Sequence, residues 1–162
     1  MATPDPRVAA VKRSLEAISA ICDRGFAVAV HIRLTRPTLL YQTYSDEWSE
    51  HYSTKGYMMS DPTVGWGLQN TGPVLWADLV DHDPAGVIAD AISFGLTNGW
   101  TYATGPVSSR TISGTPKSGP DFTEAERDEI RAAVDAIHEA TEGFDNFPAE
   151  VQQALRALGH LG

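Results

Sequence analysis

The sequence lacks long apolar runs, a set of cysteines and a secretory signal, and each absence excludes a class of protein. Its apolar stretches are short, such as Phe26 to Val30, whereas roughly 18 apolar residues are needed to span a bilayer. The single cysteine, Cys22, cannot form an internal disulfide framework. Residues 1–6 have neither the basic start nor the apolar core of a signal peptide. We therefore expect a cytoplasmic protein that has no contact with a membrane.

Basic residues are also scarce. The formal net charge is −9, from 21 acidic residues against 12 lysines and arginines, and most of the acidic excess follows residue 121. Nucleic acid binding requires clustered lysines and arginines that displace counterions from phosphates, and the sequence has no such cluster. We therefore expect no direct DNA binding by this chain, and we interpret the acidic C-terminal region as a solvated helix face.

Residue patterns for catalysis and metal binding are missing as well. The histidines and the cysteine have no spacing suited to zinc, and there is neither a Gly-x-Ser-x-Gly nucleophile motif nor a phosphate-binding loop. The chain is accordingly predicted not to be an enzyme and to need no metal or cofactor. Its 162 residues, 42% of them hydrophobic, are enough for one domain over residues 1–162 with its own core.

Hydrophobic periodicity and turn residues predict a mixture of helices and strands. Thr123 and Glu126 have the spacing of a capping box at the start of a C-terminal helix. In chain order the predicted elements are a helix over 8–22, strands over 26–34 and 38–43, a helix over 46–55, a helix or turn from 61, a helix over 84–94, strands over 100–104 and 107–113, a loop over 114–120 and two further helices. This order predicts an α+β fold in which helices cover both faces of a central antiparallel sheet.

One segment is rich in aromatic side chains that carry a polar group. Trp48 and Tyr52 are four residues apart and share one face of a predicted helix, with Tyr44 just before it and Asp61 and Trp76 after it. Such rings can be buried and still donate a hydrogen bond, and a buried carboxylate can accept one from an amide. The set suits a small, mostly apolar ligand with carbonyl groups and one N–H, or else it is an ordinary aromatic core with an Asp-Pro helix cap.

The spacing of these residues resembles that of a known family. The pattern Tyr-x3-Trp-x3-Tyr-x4-Tyr-x3-Asp-Pro runs from Tyr44 to Pro62, Pro-x2-Trp ends at Trp76, and Ala-x3-Gly-Leu-x2-Gly runs from Ala91 to Gly99. This order is similar to the autoinducer-binding domain of LuxR-type quorum-sensing regulators, over residues 26–113. The resemblance implies an α-β-α sandwich that encloses an N-acyl-homoserine lactone between the sheet and the helices.

The same resemblance implies a role for each matching residue. Trp48 would donate its indole N–H to the lactone carbonyl, and Asp61 would accept a hydrogen bond from the amide N–H of the ligand. Tyr44 would hydrogen-bond the acyl amide carbonyl, together with Ser113 from the last strand. Trp76 would pack against the lactone ring.

Further residues are implied in support of this polar group and of the acyl tail. Thr63 follows the Asp-Pro pair and would support the polar cluster. The tail would lie on apolar side chains, for which the candidates are Val30, Leu40, Tyr52, Val64 and Leu96. The sequence departs from the family pattern at Ser45, where proline is frequent, and the bulky Trp66 is expected to shorten or reshape the tail pocket.

LuxR-type regulators continue into a helix-turn-helix domain, and we expect none in this chain because no recognition-helix pattern or basic patch is present. The chain is either a stand-alone domain or part of a longer protein. It would act through a partner, as a homodimer or as a heterodimer with a LuxR-type regulator. The last helix, with Val151, Leu155 and Leu158, either forms a dimer surface or packs on its own domain. An alternative function is a ligand-independent module that dimerises with a full-length receptor and inhibits it.

Overall fold

A central sheet and two sets of helices make up residues 5–160, the part of the chain that the computed structural model describes. The helices are α1 (Pro6–Ile21), α2 (Asp46–Thr54), α3 (Pro62–Gln69), α4 (Val87–Ser93), α5 (Glu124–Ala140) and α6 (Ala149–Ala157). The strands are β1 (Ala27–Arg33), β2 (Arg36–Gln42), β3 (Gly72–Leu75), β4 (Trp100–Thr104) and β5 (Arg110–Thr115). Short 3₁₀ helices cover Tyr57–Met59, Trp76–His82, Val107–Ser109, Phe144–Asn146 and Leu158–His160. Within this range no helix combines the length and the apolar character needed to cross a membrane.

The strands within residues 5–160 form one antiparallel sheet in the order β2-β1-β5-β4-β3. Helices α1, α5 and α6 cover one face, where their apolar side chains pack with those of β1, β2 and β4. Helices α2, α3 and α4 lie on the other face. The predicted α+β sandwich, with helices on both faces of an antiparallel sheet, is thereby confirmed.

Both edge strands contain a proline, and the predictions at both edges are wrong for that reason. β2 begins at Arg36, before Pro37, where the sequence predicts a break. β3 carries Pro73 in a segment for which the sequence predicts no strand. Proline has no backbone N–H to give to a neighbour, but an edge strand pairs on one side only and therefore tolerates it.

The bounds of α4 and β5 also differ from the prediction. α4 begins at Val87 rather than at 84, because the Asp83 carboxylate accepts hydrogen bonds from the N–H groups of Val87 and Ile88 at 2.9 and 2.8 Å and caps the helix there. β5 begins at Arg110 rather than at 107, because Val107–Ser109 turns as a 3₁₀ helix. The strand also runs past 113, so the loop that follows starts two residues later than predicted.

The last helix packs on its own domain. Leu155 is fully buried, Val151 is buried beside it, and Leu158 packs against the same core. The hydroxyl of Tyr41 on β2 donates a 2.8 Å hydrogen bond to the Leu155 carbonyl and so connects α6 to the sheet. Since its own core uses this apolar stripe, the alternative that the stripe forms a dimer surface is wrong.

A β-bulge in β1 sets which side chains face which layer. The register against β5 shifts between Ala29 and Ile32, and His31 within the bulge has a φ of 47°. Val28 and Val30 pack in the core under α1 and α5. The extra residue of the bulge lets Ala29 and Ile32 both face the layer of α2, α3 and α4.

Two buried histidines stack at this bulge. The ring centroids of His31 and His138 lie 4.2 Å apart. Nε2 of His31 donates to the His138 carbonyl at 3.0 Å, and Nδ1 lies 2.8 Å from the Ser109 hydroxyl. Nδ1 of His138 lies 2.7 Å from the Thr111 hydroxyl. Burial lowers the pKa of both histidines, and for His138 the neighbouring His31 lowers it further.

We expect the histidine pair to make the free energy of unfolding fall as the pH drops below about 6.5, the usual histidine pKa. The unfolded chain binds more protons there than the folded protein, in which the pKa of both rings is lowered, so acid favours unfolding. The loss is at most about 1.4 kcal/mol per ring at one pH unit below that value. Urea unfolding at about pH 7.5 and about pH 5.5 measures it. His138→Gln should flatten this dependence, and an unchanged slope in that variant would contradict the assignment.

Candidate ligand-binding site

A cavity of about 240 Å³ lies between the sheet and the layer of α2, α3 and α4. Ligand pockets for drug-sized molecules are typically about 300–1,000 Å³, so the enclosed space suits a small ligand or one that is partly enclosed. Most of the lining is apolar. The apolar lining residues other than the aromatic ones are Ala27, Ala29, Ile32, Pro37, Leu40, Met58, Val64, Val87, Ile88, Ala91, Ile112 and Gly114.

Small residues on the sheet create the floor of the cavity. Ala27 pairs with Gly114, and Ala29 pairs with Leu40 on one side and with Ile112 on the other. Paired residues share one face of a sheet, so these side chains form neighbouring rows that face the same helices. The volume that larger side chains would fill at Ala27 and Ala29 adds to the cavity, whereas Tyr44 and Trp76 pack over Gly114.

Asp61, the residue that caps the N-terminus of α3, leaves one acceptor position open toward the cavity. Its Oδ1 accepts hydrogen bonds from the N–H and the hydroxyl of Thr63 at 2.9 and 2.7 Å, and its Oδ2 accepts one from the Tyr52 hydroxyl at 2.8 Å. A carboxylate has about four acceptor positions, so one on Oδ2 is unused. Burial raises the pKa of Asp61, while the hydrogen bonds from Thr63 and Tyr52 oppose that rise. Tyr52, predicted as a tail contact, thus also belongs to the polar cluster.

Trp48 offers the cavity a hydrogen-bond donor. Its side chain is only 5% exposed, and α2 holds it against Tyr52, Tyr57 and Phe94, at ring-centroid distances of 5.8, 6.3 and 5.1 Å. The hydrogen bonds found within residues 5–160 include one from the backbone N–H of Trp48 but none from its indole N–H, and the ring borders the cavity. A ligand carbonyl would give this N–H a partner.

Tyr44 connects the start of α2 to the floor of the cavity. Its hydroxyl donates a 3.1 Å hydrogen bond to the Gly114 carbonyl, and burial raises its pKa, so the phenol stays protonated. Ser45, the next residue, caps α2 by accepting a 3.2 Å hydrogen bond from the Trp48 N–H. The serine that departs from the family pattern therefore has a local role, because it fixes the start of the helix that carries Trp48.

Trp76 forms a wall of the cavity but keeps its polar group for the protein. Its indole N–H donates a 2.9 Å hydrogen bond to the Thr101 hydroxyl, in contrast to that of Trp48. A Cβ built on Gly99 would lie 1.8 Å from the Trp76 ring, and one built on Gly114 would lie 3.6 Å from it. The indole therefore packs directly on the backbone of Gly99 and presents an apolar surface to the cavity.

The structure does not bring the Ser113 hydroxyl to this polar group. The hydroxyl accepts a hydrogen bond from the Tyr102 N–H at 3.2 Å and donates one to the Tyr102 carbonyl at 3.0 Å. Residues alternate between the two faces along a strand, and Ile112 and Gly114, on either side of Ser113, face the cavity. The side chain of Ser113 therefore lies on the opposite face of the sheet, with that of Tyr102, under α1 and α5. Ser113 borders the cavity through its backbone.

The residues predicted to contact an acyl tail divide into two groups. Leu40, Tyr52 and Val64 line the cavity. Val30 is fully buried in the core on the opposite face of the sheet, and Leu96 is buried in the α4 layer without bordering the cavity.

Sequence reasoning missed the cavity residues that β1 contributes. Ala27 and Ala29 line the cavity, and their alternation with Val28 and Val30 is the signal that separates the two faces of the strand. Trp66 packs against apolar residues of the helical layer and does not line the cavity, contrary to the expectation that its ring limits the tail pocket.

Asp90 ties the two helices above the cavity to each other. Its Oδ2 accepts a 2.6 Å hydrogen bond from the Tyr57 hydroxyl and also contacts Nε2 of His51 on α2. These two hydrogen bonds hold the pKa of Asp90 below its usual range. Since α4 contributes Ile88 and Ala91 to the cavity lining, this contact positions the part of the lining opposite the sheet.

Comparison with known proteins relates most of the chain to one family. Residues 23–141 match the family described as the autoinducer binding domain. Over 75 residues the chain is 29% identical to the transcriptional activator protein SolR of Ralstonia nicotianae and 27% identical to that of Ralstonia solanacearum. Each match covers 46% of this chain and 32% of the relative, so the matched segment spans about a third of those proteins.

Solved structures share the fold. SdiA from Escherichia coli gives a TM-score of 0.65 at 18% identity, over 93% of this chain and 69% of that one. The N-acylhomoserine lactone dependent LuxR family transcription factor CepR2 from Burkholderia cenocepacia gives a TM-score of 0.57 at 17% identity, over 86% of this chain and 96% of that one. At these identities the likeness establishes the fold alone.

Proposed function

The chain belongs to the autoinducer-binding domain family of LuxR-type regulators, and we propose that it binds an N-acyl-homoserine lactone in the cavity between the sheet and α2, α3 and α4. The pairing of Asp61 with Trp48 carries this proposal. Asp61 has an unused acceptor position, the indole N–H of Trp48 is in none of the hydrogen bonds found within residues 5–160, and both side chains border the same apolar cavity. A ligand with one amide N–H and a carbonyl group satisfies both.

Membership in this family indicates a signal-sensing role and confirms that the chain is not an enzyme, since the relatives are named as transcription regulators. The matched segment spans about a third of SolR, so transcriptional activation is named for that whole protein. For this chain, a response through a homodimer, or through a heterodimer with a LuxR-type regulator, is part of the proposal.

The polar groups suggest how the ligand is oriented. The amide N–H donates to the open position on Asp61 Oδ2, and the lactone carbonyl accepts from the Trp48 indole. The Tyr44 hydroxyl, which donates to the Gly114 carbonyl at 3.1 Å, turns to donate to the acyl carbonyl of the ligand instead. The Trp76 ring supplies an apolar surface for the lactone. These hydrogen bonds replace those the ligand loses when it leaves water, so they select the ligand more than they tighten its binding.

The acyl tail supplies most of the affinity in this arrangement. It lies over the small side chain of Ala29, between Leu40 and Val64, where the cavity lining is apolar. Each methylene that leaves water contributes about 0.8 kcal/mol, or about fourfold in affinity.

Thermal unfolding in the presence of N-acyl-homoserine lactones with different chains tests the proposal. A ligand that binds only the folded state, at 100 times its Kd, adds about 2.7 kcal/mol of stability. For a chain of this size that raises the Tm by roughly 5–10 °C. The alternative, a ligand-independent module that dimerises with and inhibits a full-length receptor, predicts no shift with any member of the panel. That result would refute the proposal.

Trp48→Phe is expected to weaken homoserine lactone binding about tenfold or more, because the lactone carbonyl is left without a donor in a desolvated site. The unliganded protein should lose only about 1–2 kcal/mol, since an aromatic ring still fills most of the space. Isothermal titration calorimetry measures the affinity. Trp66→Phe is the matched control, because Trp66 lies in the same layer without lining the cavity. Equal losses in the two variants would contradict the role of Trp48.

A second ligand class shares the apolar tail but has a different polar group. SdiA has been solved in complex with octanoyl-rac-glycerol, and its chain gives a TM-score of 0.63 at 17% identity to this one. Glycerol hydroxyls can also donate to the open position on Asp61. We favour the lactone amide because its single N–H matches the single unused acceptor. Octanoylglycerol belongs in the melting panel, where a shift equal to that of octanoyl-homoserine lactone would reject amide selectivity.

A further inference from the structure

The lining of the cavity includes side chains that are exposed to solvent. Of its lining residues, Leu40, Gln42 and Met58 are exposed, whereas all the others are buried or partly buried. Leu40 and Gln42 lie on the edge strand β2, and Met58 lies in the 3₁₀ helix that follows α2. The exposed part of the lining therefore lies toward the β2 edge of the sheet, and two of its three residues are apolar.

The register of the sheet places Leu40 farther from the polar group than Gln42, which lies in the same row as Ala27 and Gly114. Gly114 lies beside Tyr44 and Trp76 and pairs with Ala27 on β1. Leu40, two strands away from Gly114, pairs with Ala29, which is two residues further along β1 than Ala27. With strands about 4.8 Å apart and rows about 7 Å apart, roughly 12 Å separates Gly114 from Leu40. A chain that starts at the polar group and crosses Ala29 therefore reaches the edge of the sheet at Leu40.

We propose that Leu40 and Met58 form an apolar rim on which the end of a long acyl tail lies, so that the site accepts tails longer than its enclosed volume holds. This inference rests on the proposed function, and it adds the ligand's chain-length class. Two observations support it. The cavity measures only about 240 Å³, and its apolar lining includes side chains that are 49% exposed at Leu40 and 37% exposed at Met58.

Partial burial sets the size of the expected effect. A methylene inside the cavity raises affinity about fourfold, because it leaves water completely. A methylene on the rim keeps roughly half of its contact with water, so its gain is about twofold by the same proportionality to buried area. Affinity should therefore keep rising with chain length beyond the enclosed volume, in smaller steps. A closed pocket would instead reject the longer chains.

Calorimetric titration of the full chain with hexanoyl- and dodecanoyl-homoserine lactone tests the rim. Leu40→Ser and Met58→Ser should each weaken dodecanoyl binding about five- to tenfold and hexanoyl binding by a clearly smaller factor, because the shorter tail covers less of the rim. Leu34→Ser and Met59→Ser are matched controls, because these side chains are 94% and 81% exposed and do not line the cavity. Both controls should bind like the parent.

Two results would overturn the proposal of a rim. In the first, the hexanoyl ligand binds and the dodecanoyl ligand does not, which indicates a closed end. In the second, the rim variants weaken both chain lengths equally, which indicates a general effect on the site.

Matched hexanoyl- and dodecanoylglycerol separate failure of the rim from failure of the proposed function. If neither lactone binds but dodecanoylglycerol binds and depends on Leu40 and Met58, the rim is upheld and recognition of the homoserine lactone is rejected. If no acyl ligand of either kind binds, both proposals fall.

Discussion

Asp61→Asn is expected to abolish the ligand-induced rise in Tm while the unliganded protein stays folded. The asparagine oxygen can still accept hydrogen bonds from Thr63 and cap α3, so the helix keeps its start. Its amide nitrogen then takes the place of Oδ2, and the Tyr52 hydroxyl can accept from it. The same nitrogen would face the amide N–H of the ligand, and since both groups are donors no hydrogen bond can form between them. This leaves the ligand amide unpaired in a buried site.

The affinity loss in this variant should be large. Removing a hydrogen bond to a charged group and leaving its partner unpaired costs about 3 kcal/mol, or more than about 100-fold in Kd. Titration calorimetry with the best lactone of the panel measures it, and circular dichroism confirms the fold. The matched control is Asp23→Asn, because Asp23 also accepts hydrogen bonds, from Ser118, but is absent from the cavity lining. Parent-like affinity in Asp61→Asn would reject the orientation proposed for the ligand.

Gly99→Ala should destabilise the whole protein and disrupt the ligand site together. Its Cβ would lie 1.8 Å from Cδ2 and 2.0 Å from Cε3 of Trp76, far inside van der Waals contact. The indole cannot simply turn aside, because it is buried and its N–H donates to Thr101. Overpacking of this kind costs about 3 kcal/mol, which lowers the Tm by roughly 10 °C for a chain of this length.

A second glycine provides the matched control for this prediction. Gly65 lies inside α3, and a Cβ built there meets no atom within 4 Å. Gly65→Ala should therefore raise stability by about 0.5–1 kcal/mol, since alanine favours the helix. Differential scanning fluorimetry compares the two variants. If Gly99→Ala melts with the parent and still binds ligand, the placement of Trp76 against Gly99 is wrong.

The local part of the site could be predicted from spacing. Trp48 and Tyr52 are one helical turn apart, and an Asp-Pro pair at Asp61 is a strong helix start, so short-range geometry alone brings their side chains to one region. The structure adds that Tyr52 donates to Asp61 and that Thr63 completes the cap. The roles of these residues toward a ligand stay a prediction, which the substitutions above test.

Ser113 shows why the strand contributions could not be predicted in the same way. A shift of one residue along a strand moves every side chain to the other face, and the sequence does not determine where β5 begins closely enough to resolve this. In the structure β5 starts at Arg110, and the Ser113 hydroxyl bonds to Tyr102 on the far face of the sheet.

The amino-acid pattern was thus sufficient for the α+β class, through the order of the predicted elements, and for the family, through the spacing of its motif residues. It was also sufficient for the cluster around α2, because those residues are near one another in the chain. Asp61 and Trp48 belong to that set, yet the pattern alone left them open to an ordinary core interpretation. Three-dimensional packing determined the rest. It left one Oδ2 position of Asp61 and the N–H of Trp48 unused at a common cavity. It also placed Ala29, next to the bulge in β1, on the floor of the cavity and Leu40 at its rim. Both positions depend on the pairing of strands that are separate in the sequence.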